Sequence, residues 1–466
     1  MTIDTALTAQ RRQALAQAMG PQDLAIIPTA VSRLRNRDAD YPYRADSYFY
    51  YLTGFQEPEA WLVLRADGHS TLFCQPKDLA RETWDGYRLG PEAACEALGV
   101  DAAHSVTELD TRMPQLMANT QGLWWPFATH DDLHQRVEGW LQSVRNQARM
   151  GVAAPQSQHD ACSVLDEMRL IKDAHELACM RTASRISAQA HLRAMRRSAR
   201  MLAAGEDARE YHLEAELLHC FREHGATGPA YNSIVAAGAN ACVLHYRADR
   251  GRLRDGDLVL IDAACEYMGY ASDITRTFPA NGRFSGPQRA VYEVVLAAQE
   301  AAIAATRAGA RFDEPHDAAT RVLAEGMLDL KLLDRQSVGG LDDVIANRAY
   351  ARFYMHRTGH WLGMDVHDCG AYQDPDPQAP WIDVPDPNGG QPIRRRASRP
   401  LQAGMVLTIE PGLYVRAADD VPEAFHGIGV RIEDDALVTA EGCELLTRDV
   451  PVAMQAIEEL MQQAHR

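Results

Sequence analysis

The sequence has no apolar run near the roughly 18 residues that a membrane-spanning helix requires, and its first twenty residues contain no apolar signal-peptide segment. Basic residues are also few, since 47 Lys and Arg stand against 64 Asp and Glu and the formal charge is −17. Nucleic acids and anionic membranes bind clustered Lys and Arg. We therefore expect no nucleic-acid partner, no membrane partner and a cytoplasmic location.

Cysteine is scarce and irregularly spaced. The nine cysteines are an odd number, form no C-x-x-C pair and are scattered from Cys74 to Cys443. A disulfide framework or a zinc knuckle would need regular spacing. This usage favours reduced, buried thiols in a reducing compartment.

The composition is that of a globular protein, with 46% apolar and 24% charged residues, and 466 residues favour more than one domain. Residues 5–19 predict an amphipathic helix, and the runs that follow ("DLAIIPTA", "SYFYYLTGF", "AWLVLRADG", "STLFC") predict strands of a mixed α/β domain. From about Asp166 the pattern changes to long helical periodicity. We place the domain boundary near 165 to 175, which predicts domains 1–170 and 171–466.

One segment differs from the rest of the second domain. Residues 374–400 are so rich in Pro, Asp and Gly that we expect a long surface loop without regular structure, carrying a triplet of arginines at 394–396. Loops of this length are uncommon inside compact domains and are often functional. A solvated insertion is the alternative.

The stretch "LIDAACEYMGYASDITRTF" is apolar enough for a buried strand, yet it carries Asp262 and Asp273. If the hairpin turns at Met268 and Gly269, Asp262 lies opposite Thr275; if it turns one residue earlier, Asp262 lies directly opposite Asp273. In either register the carboxylates share a face within about 5 to 8 Å. Two buried carboxylates need a cation between them. The alternative is one acid at the solvent end of each strand.

Two further acids emerge from strand-like runs near the C-terminus. Glu410 ends "MVLTI" before a Pro-Gly turn, and Glu433 follows Arg431 at period two in "GVRIEDD". Between the acidic pairs lies "HRTGHWLGMDVHD", whose first two histidines have the H-x-x-x-H spacing of helical zinc sites. Arg357 replaces the glutamate of such sites and two glycines disfavour a helix, so we reject that interpretation.

Four carboxylates and one histidine are hard ligands that suit Mn²⁺ and similar ions. Their number suits two ions about 3.5–4 Å apart, which lower the pKa of a shared water and polarise a carbonyl. His360 alone could equally be a hydrogen-bonded core or surface histidine. The pattern therefore favours metal-assisted hydrolysis.

In this order the motifs resemble the pita-bread metallopeptidases, and most of all their bacterial Xaa-Pro aminopeptidase (aminopeptidase P) group. The runs "DADYPYRADSYFYYLTGFQEPEA" and "WDGYRLG" resemble the N-terminal domain of that group. The resemblance implies an α+β chain: an N-terminal α/β creatinase-like domain, then a pita-bread catalytic domain with a curved antiparallel sheet. It implies an enzyme that removes the N-terminal residue from peptides with proline in second position, working as a homodimer or homotetramer.

The resemblance also implies roles for particular residues. It implies two divalent ions, with Mn²⁺ as first choice and Co²⁺ or Zn²⁺ as alternatives, held by Asp262, Asp273, His360, Glu410 and Glu433, with Asp273 and Glu433 bridging. Glu410 would shuttle protons, and His367 and His245 would stabilise the tetrahedral intermediate and hold the substrate. The pocket for proline and the following residue would comprise His356, Val366, Tyr414 and Arg431, with Trp84 supplied by a neighbouring subunit. Core packing is the alternative for Tyr414 and Val366, and orientation of Glu433 is the alternative for Arg431.

The chain departs from the family pattern in two places: Arg357 stands where many relatives have Gly, and residues 374–400 exceed the usual link. We expect this loop to lie near the mouth of the site and to alter which peptide lengths enter. A prolidase, which accepts only dipeptides, is the nearest rival because it uses the same ligands. A methionine aminopeptidase needs no such N-terminal domain, and a non-catalytic binding protein or a creatinase-like metal-free hydrolase would lack ligands that are present here.

Overall fold

A computed structural model describes residues 4–247, 250–384 and 391–463. It divides into two compact units, residues 1–168 and 169–466. Within the described residues, no helix has both the length and the apolarity needed to cross a membrane.

The first unit is built on a six-stranded mixed sheet. Its strands, in spatial order, are Ala102–Ser105, Ser70–Cys74, Trp61–Arg65, Leu24–Pro28, Gly122–Trp125 and Ser157–Asp160. Its helices are Thr5–Ala18, Ser47–Thr53, Leu79–Asp85, Gly90–Leu98, Leu109–Met117, Leu133–Arg145 and Cys162–Leu170, the last of which continues into the second unit. Apolar side chains from the central strands and the helices Leu109–Met117 and Leu133–Arg145 form its core.

One predicted strand of this unit is wrong, because "SYFYYLTGF" forms the helix Ser47–Thr53. The Asp46 side chain accepts hydrogen bonds from the backbone N–H groups of Tyr48 and Phe49, and Gly54 ends the helix with φ of 67°. An N-cap and a left-handed C-cap together outweigh the β preference of the aromatic residues between them.

The second unit combines long helices with short antiparallel strands. Its helices are Ala174–Ala203, Glu210–Glu223, Gly286–Ala305, Glu314–Asp329, Arg335–Val338, Leu341–Ala346 and Met454–Gln463. Its strands are Gly228–Pro229, Ile234–Ala237, Leu258–Asp262, Cys265–Tyr267, Tyr270–Ala271, Thr275–Pro279, Trp381–Val384, Ile393–Arg396, Val406–Ile409, Gly412–Val415, Ile428–Arg431, Asp434–Val438 and Cys443–Leu445. The longest helix begins at Asp173, whose side chain forms a capping box with Glu176.

The first acidic hairpin turns at Met268 and Gly269, which have φ of 52° and 79° as a two-residue turn requires. Asp262 lies opposite Thr275. This is the first of the two registers considered, and the one that places Asp262 directly opposite Asp273 is wrong.

The strands that carry the other two acids are interrupted at those acids. One strand stops after Ile409 and resumes at Gly412, and its partner stops after Arg431. The pairing register is the same on both sides of the interruption, so Glu410 and Glu433 lie at facing positions. The continuous strand that the sequence suggested through Glu433 is therefore wrong, although the register is kept.

One backbone and one side-chain hydrogen bond bring the two acidic strand pairs side by side. The N–H of Glu433 donates to the carbonyl of Thr275 at 3.1 Å, and the hydroxyl of Thr277 donates to the carbonyl of Arg431 at 2.9 Å. The interrupted ends of both pairs therefore meet at one place, which is where all four acids lie.

The expectation of no regular structure in 374–400 is wrong. The strands Trp381–Val384 and Ile393–Arg396 pair as an antiparallel hairpin, whose tip at 385–390 lies outside the described residues. The guanidinium groups of Arg394 and Arg396 lie over the Trp381 ring, 5.9 and 5.6 Å from its centroid. Trp381, Ile382 and Val384 favour the β conformation, and their strand also makes side-chain contacts with the arginines of the facing strand. Together these two contributions offset the flanking prolines.

Candidate metal and peptidase site

The interrupted strand ends open into a cavity of about 1020 Å³ in the second unit. Ten of the predicted site residues line it: Asp262, Asp273, His360, Glu410, Glu433, His245, His356, Val366, His367 and Arg431. Residues from five separate stretches of the chain thus share one wall.

Three of these residues could hold a metal ion as they stand. Asp273, His360 and Glu433 each offer a ligand atom, and the three atoms lie within 4.8 Å of one another. His360 Nε2 is 3.5 Å from Asp273 Oδ2 and 3.8 Å from Glu410 Oε1. The carboxylates therefore converge on one nitrogen.

The two aspartates are joined by a residue that the sequence analysis missed. The Tyr231 hydroxyl lies 2.6 Å from Asp262 Oδ1 and 2.6 Å from Asp273 Oδ1. Burial, together with the two carboxylates, raises the pKa of Tyr231 well above its ordinary value, so the phenol keeps its proton. No spacing rule links Tyr231 to the acidic hairpin, so only the folded chain reveals it.

Arg431 and Thr275 hold Asp262 and Glu433 in place through hydrogen bonds. Arg431 Nη2 donates to Asp262 Oδ2 at 2.6 Å, and Arg431 Nε donates to Thr275 Oγ1 at 3.2 Å. The Thr275 hydroxyl in turn donates to Glu433 Oε2 at 2.6 Å. Arg431 thus reaches Glu433 through Thr275 as well as contacting Asp262 directly.

His360 has one ring nitrogen free for a cation. Its Nδ1–H donates to the carbonyl of Trp361 at 2.9 Å, which leaves Nε2 towards the carboxylates. Burial lowers the pKa of His360, but Asp273 and Glu410 outweigh it and raise the pKa to about 9. Burial, with help from Asp273, raises the pKa of Glu410 to about 7.

Burial and the neighbouring carboxylates also raise the pKa of Asp273 and of Glu433. Without a cation such groups are harder to ionise than exposed acids, because burial and like charges both disfavour the carboxylate. The donor set of carboxylate oxygens and one imidazole is the kind that divalent ions bind. The residues present therefore fit a metal site.

Tyr414 lies behind the cavity wall, not on it. It is buried, and its hydroxyl contacts His356 Nε2 at 2.8 Å and Arg431 Nη1 at 3.0 Å. His356 Nδ1 must carry the ring proton because its partner is the carbonyl of Arg357, so Nε2 accepts from Tyr414. Burial and Arg431 lower the pKa of His356 to about 4, which keeps the imidazole neutral.

His245 and His367 are exposed on the cavity wall, with the rings of His367 and His360 4.3 Å apart. Partial desolvation by the surrounding cavity wall and the neighbouring His360 lower the pKa of His367. Next in the chain is Asp368, which the sequence analysis did not select and which is buried between two cations, Arg169 and Lys172.

Trp84 belongs to the first unit, on the helix Leu79–Asp85, and is 87% exposed. Trp84 does not line the cavity of the second unit.

A group of three residues that the sequence analysis did not connect, Asp313 with Arg357 and Arg395, does line that cavity. The sequence singled out Arg357 and the arginine triplet without indicating that they meet.

Comparison with known proteins places these features in a family. The profile of the metallopeptidase family M24 matches residues 178–440, and that of the aminopeptidase P N-terminal domain matches residues 8–124. The Xaa-Pro aminopeptidase of Escherichia coli (strain K12) is 42% identical over 461 residues, which cover 98% of each chain. The human Xaa-Pro aminopeptidase 3 is 32% identical over 464 residues, covering 97% of this chain and 83% of the human one.

Solved structures agree over the whole length. The Pseudomonas aeruginosa aminopeptidase PepP superposes with a TM-score of 0.90 at 44% identity, covering 100% of this chain and 99% of the other. Zn-substituted E. coli aminopeptidase P in complex with product gives 0.91 at 41%, covering 100% of both chains. The expected two-domain fold and family are confirmed: the chain belongs to the metallopeptidase family M24.

Proposed function

We propose that this protein is an Xaa-Pro aminopeptidase that uses two divalent metal ions to release the N-terminal residue of peptides with proline in second position. The observation that carries this is the convergence of four carboxylates and His360 in one large cavity. The names of the relatives that match nearly the whole chain support it.

We assign the two ions to Asp262, Asp273, His360, Glu410 and Glu433, with Asp273 and Glu433 bridging. Mn²⁺ is our first choice because oxygen ligands dominate, and Co²⁺ and Zn²⁺ are alternatives. When bound, such ions lower the pKa of a water and polarise the scissile carbonyl.

The chain's own groups would then bind, orient and move protons. Glu410 lines the cavity, with Oε1 3.8 Å from His360 Nε2, and would accept the proton of the attacking water and pass it to the departing proline nitrogen. His245 and His367 line the cavity beside the ligands and donate hydrogen bonds to the tetrahedral oxyanion.

We assign His356, Val366 and Arg431 to the pocket for the proline ring and the residue after it. Tyr414, which contacts two of them, would act by holding His356 and Arg431 in place. We further propose a homodimer or homotetramer in which Trp84, exposed in the single chain, enters the site of a neighbouring subunit. A cytoplasmic location stays a prediction.

Hydrolysis of Ala-Pro-Ala and Ala-Pro in Mn²⁺ tests the proposal. We expect release of alanine from the tripeptide and little turnover of the dipeptide. Cleavage of the dipeptide alone would instead identify a prolidase, and Ala-Ala-Ala is the control for proline specificity.

A further inference from the structure

The cavity wall carries a charged cluster that the proposed chemistry does not use. Arg395 Nη2 donates to Asp313 Oδ2 at 2.6 Å, and Arg357 Nη2 donates to Asp313 Oδ1. All three residues line the same cavity as the metal ligands. Two guanidinium groups therefore face this one carboxylate, and the carboxyl of Asp317 is a second acid close enough to interact with both.

Each guanidinium keeps N–H donors that Asp313 does not use. A guanidinium has five N–H donors, and one carboxylate between two such groups occupies only a part of them. The Arg357 side chain is 51% exposed and that of Arg395 is 22% exposed. Asp317, one helical turn beyond Asp313, is not part of the cavity wall.

The position of Arg357 indicates which part of a peptide would meet the cluster. Arg357 directly follows His356, which we assign to the proline pocket, and lies three residues before His360. A peptide whose scissile bond lies at the metal ligands and whose proline contacts His356 therefore continues towards the two arginines.

Strand alternation explains why Arg395 joins the cluster and its neighbours do not. Arg394 and Arg396 lie over Trp381, whereas Arg395 pairs with Asp313. Arg394 is exposed and does not line the cavity. The chain thus provides a matched control one residue away.

We propose that Arg357 and Arg395 form a carboxylate-binding subsite for the part of the peptide that follows proline. The carboxylate could be the C-terminus of a tripeptide or an acidic side chain at the third position. Both present the planar anion that arginine binds well. The inference rests on the proposed function and adds a preference for negatively charged substrates.

The test compares kcat/KM in Mn²⁺ for matched peptides. Ala-Pro-Ala against its C-terminal amide reports on the terminal carboxylate, and Ala-Pro-Glu-amide against Ala-Pro-Gln-amide reports on an acidic side chain. We expect the wild type to prefer the charged member of at least one pair by about tenfold, as a charge-assisted contact provides. Arg395→Gln and Arg357→Gln should remove this preference mainly through KM, and the control Arg394→Gln should keep it.

A further variant tests whether the two arginines bind the peptide or only anchor the hairpin through Asp313. Asp313→Asn removes the ion pairs but keeps both cations, so the preference for charged peptides should persist or increase. Arg395→Lys keeps a positive charge at this position, so it should retain part of the preference that Arg395→Gln loses. Loss of the preference in Asp313→Asn to the level of Arg395→Gln would overturn the subsite, as would equal cleavage of charged and neutral peptides by the wild type. Failure to cleave any of the four peptides would instead overturn the proposed function, and the subsite with it.

Discussion

Substitution of Asp368 by asparagine should destabilise the second unit strongly, because this carboxylate lies between two buried cations. Asp368 Oδ1 is 2.6 Å from Arg169 Nη2, and Oδ2 is 2.8 Å from Lys172 Nζ. The three side chains are at most 2% exposed. Asparagine keeps the shape of Asp368 but removes the buried negative charge that lies between the two cations, and of these only Arg169 has a further carboxylate contact among the described residues, with the more exposed Asp365.

The size of the effect follows from the balance of attraction and desolvation. At an effective dielectric constant of about 20, one unit-charge pair at this distance attracts by about 6 kcal/mol. Desolvation of the charges offsets much of this, and removing one partner of such a group costs about 3–5 kcal/mol. For a unit of this size, we expect a fall of about 10 °C in the midpoint of thermal unfolding.

The assay is thermal unfolding followed by circular dichroism, with Asp365→Asn as matched control. Asp365 contacts the same Arg169 at 2.9 Å, but its side chain is 42% exposed. A pair with an exposed partner contributes about 0–1 kcal/mol, so the control should unfold within about 3 °C of the wild type. Equal midpoints for the two variants would refute the argument from buried charge.

The pH dependence gives a second check on Asp368. Burial raises the pKa of this carboxyl, but Lys172 and Arg169 outweigh burial and hold it below its ordinary value. An unfolded carboxyl has a pKa of about 3.9, so this stabilisation is fully present above about pH 4 and is lost as pH falls through the folded value. Unfolding midpoints between pH 3 and pH 7 should show an acid-side loss in the wild type that is smaller in Asp368→Asn.

Four further outcomes test the site. Glu410→Gln should lower kcat by about 10²–10⁴-fold on Ala-Pro-Ala at saturating Mn²⁺, and a kcat within threefold of the wild type would exclude a proton-transfer role. Dialysis against EDTA should abolish activity and lower the unfolding midpoint, because the clustered carboxylates lose their counter-ions, and Mn²⁺ should restore both; full activity after verified metal removal would contradict a metal site. Gly359→Ala should destabilise by about 1–3 kcal/mol and reduce metal content by mass spectrometry, since a Cβ there would overlap the Thr408 carbonyl beside His360, whereas a variant with normal metal content would show that this close approach is not required. Deletion of residues 381–396 should change the relative kcat/KM for tripeptides and longer peptides, and an unchanged ratio would remove the hairpin from substrate selection.

The sequence predicted the structure best where the conformational preference of a residue decides the local backbone. Gly269 requires the turn that sets the register, and this register places Asp262 opposite Thr275. It was less informative where caps or cross-strand contacts decide, as in the helix Ser47–Thr53 and the hairpin that contains Arg395. Tyr231 was not predicted because its two contacts join chain segments that no local pattern relates.

The sequence by itself determined which ligand chemistry is possible, since the four acids and His360 stand in motifs whose residue types already define a hard, oxygen-rich donor set. Only the tertiary structure decided that these ligands meet in one cavity, that Tyr414 lies behind its wall, and that Asp313 joins Arg357 to Arg395. The physical reason is that residue type and turn chemistry act over a few neighbouring positions. Convergence of distant side chains depends instead on how the two interrupted strand pairs lie against each other.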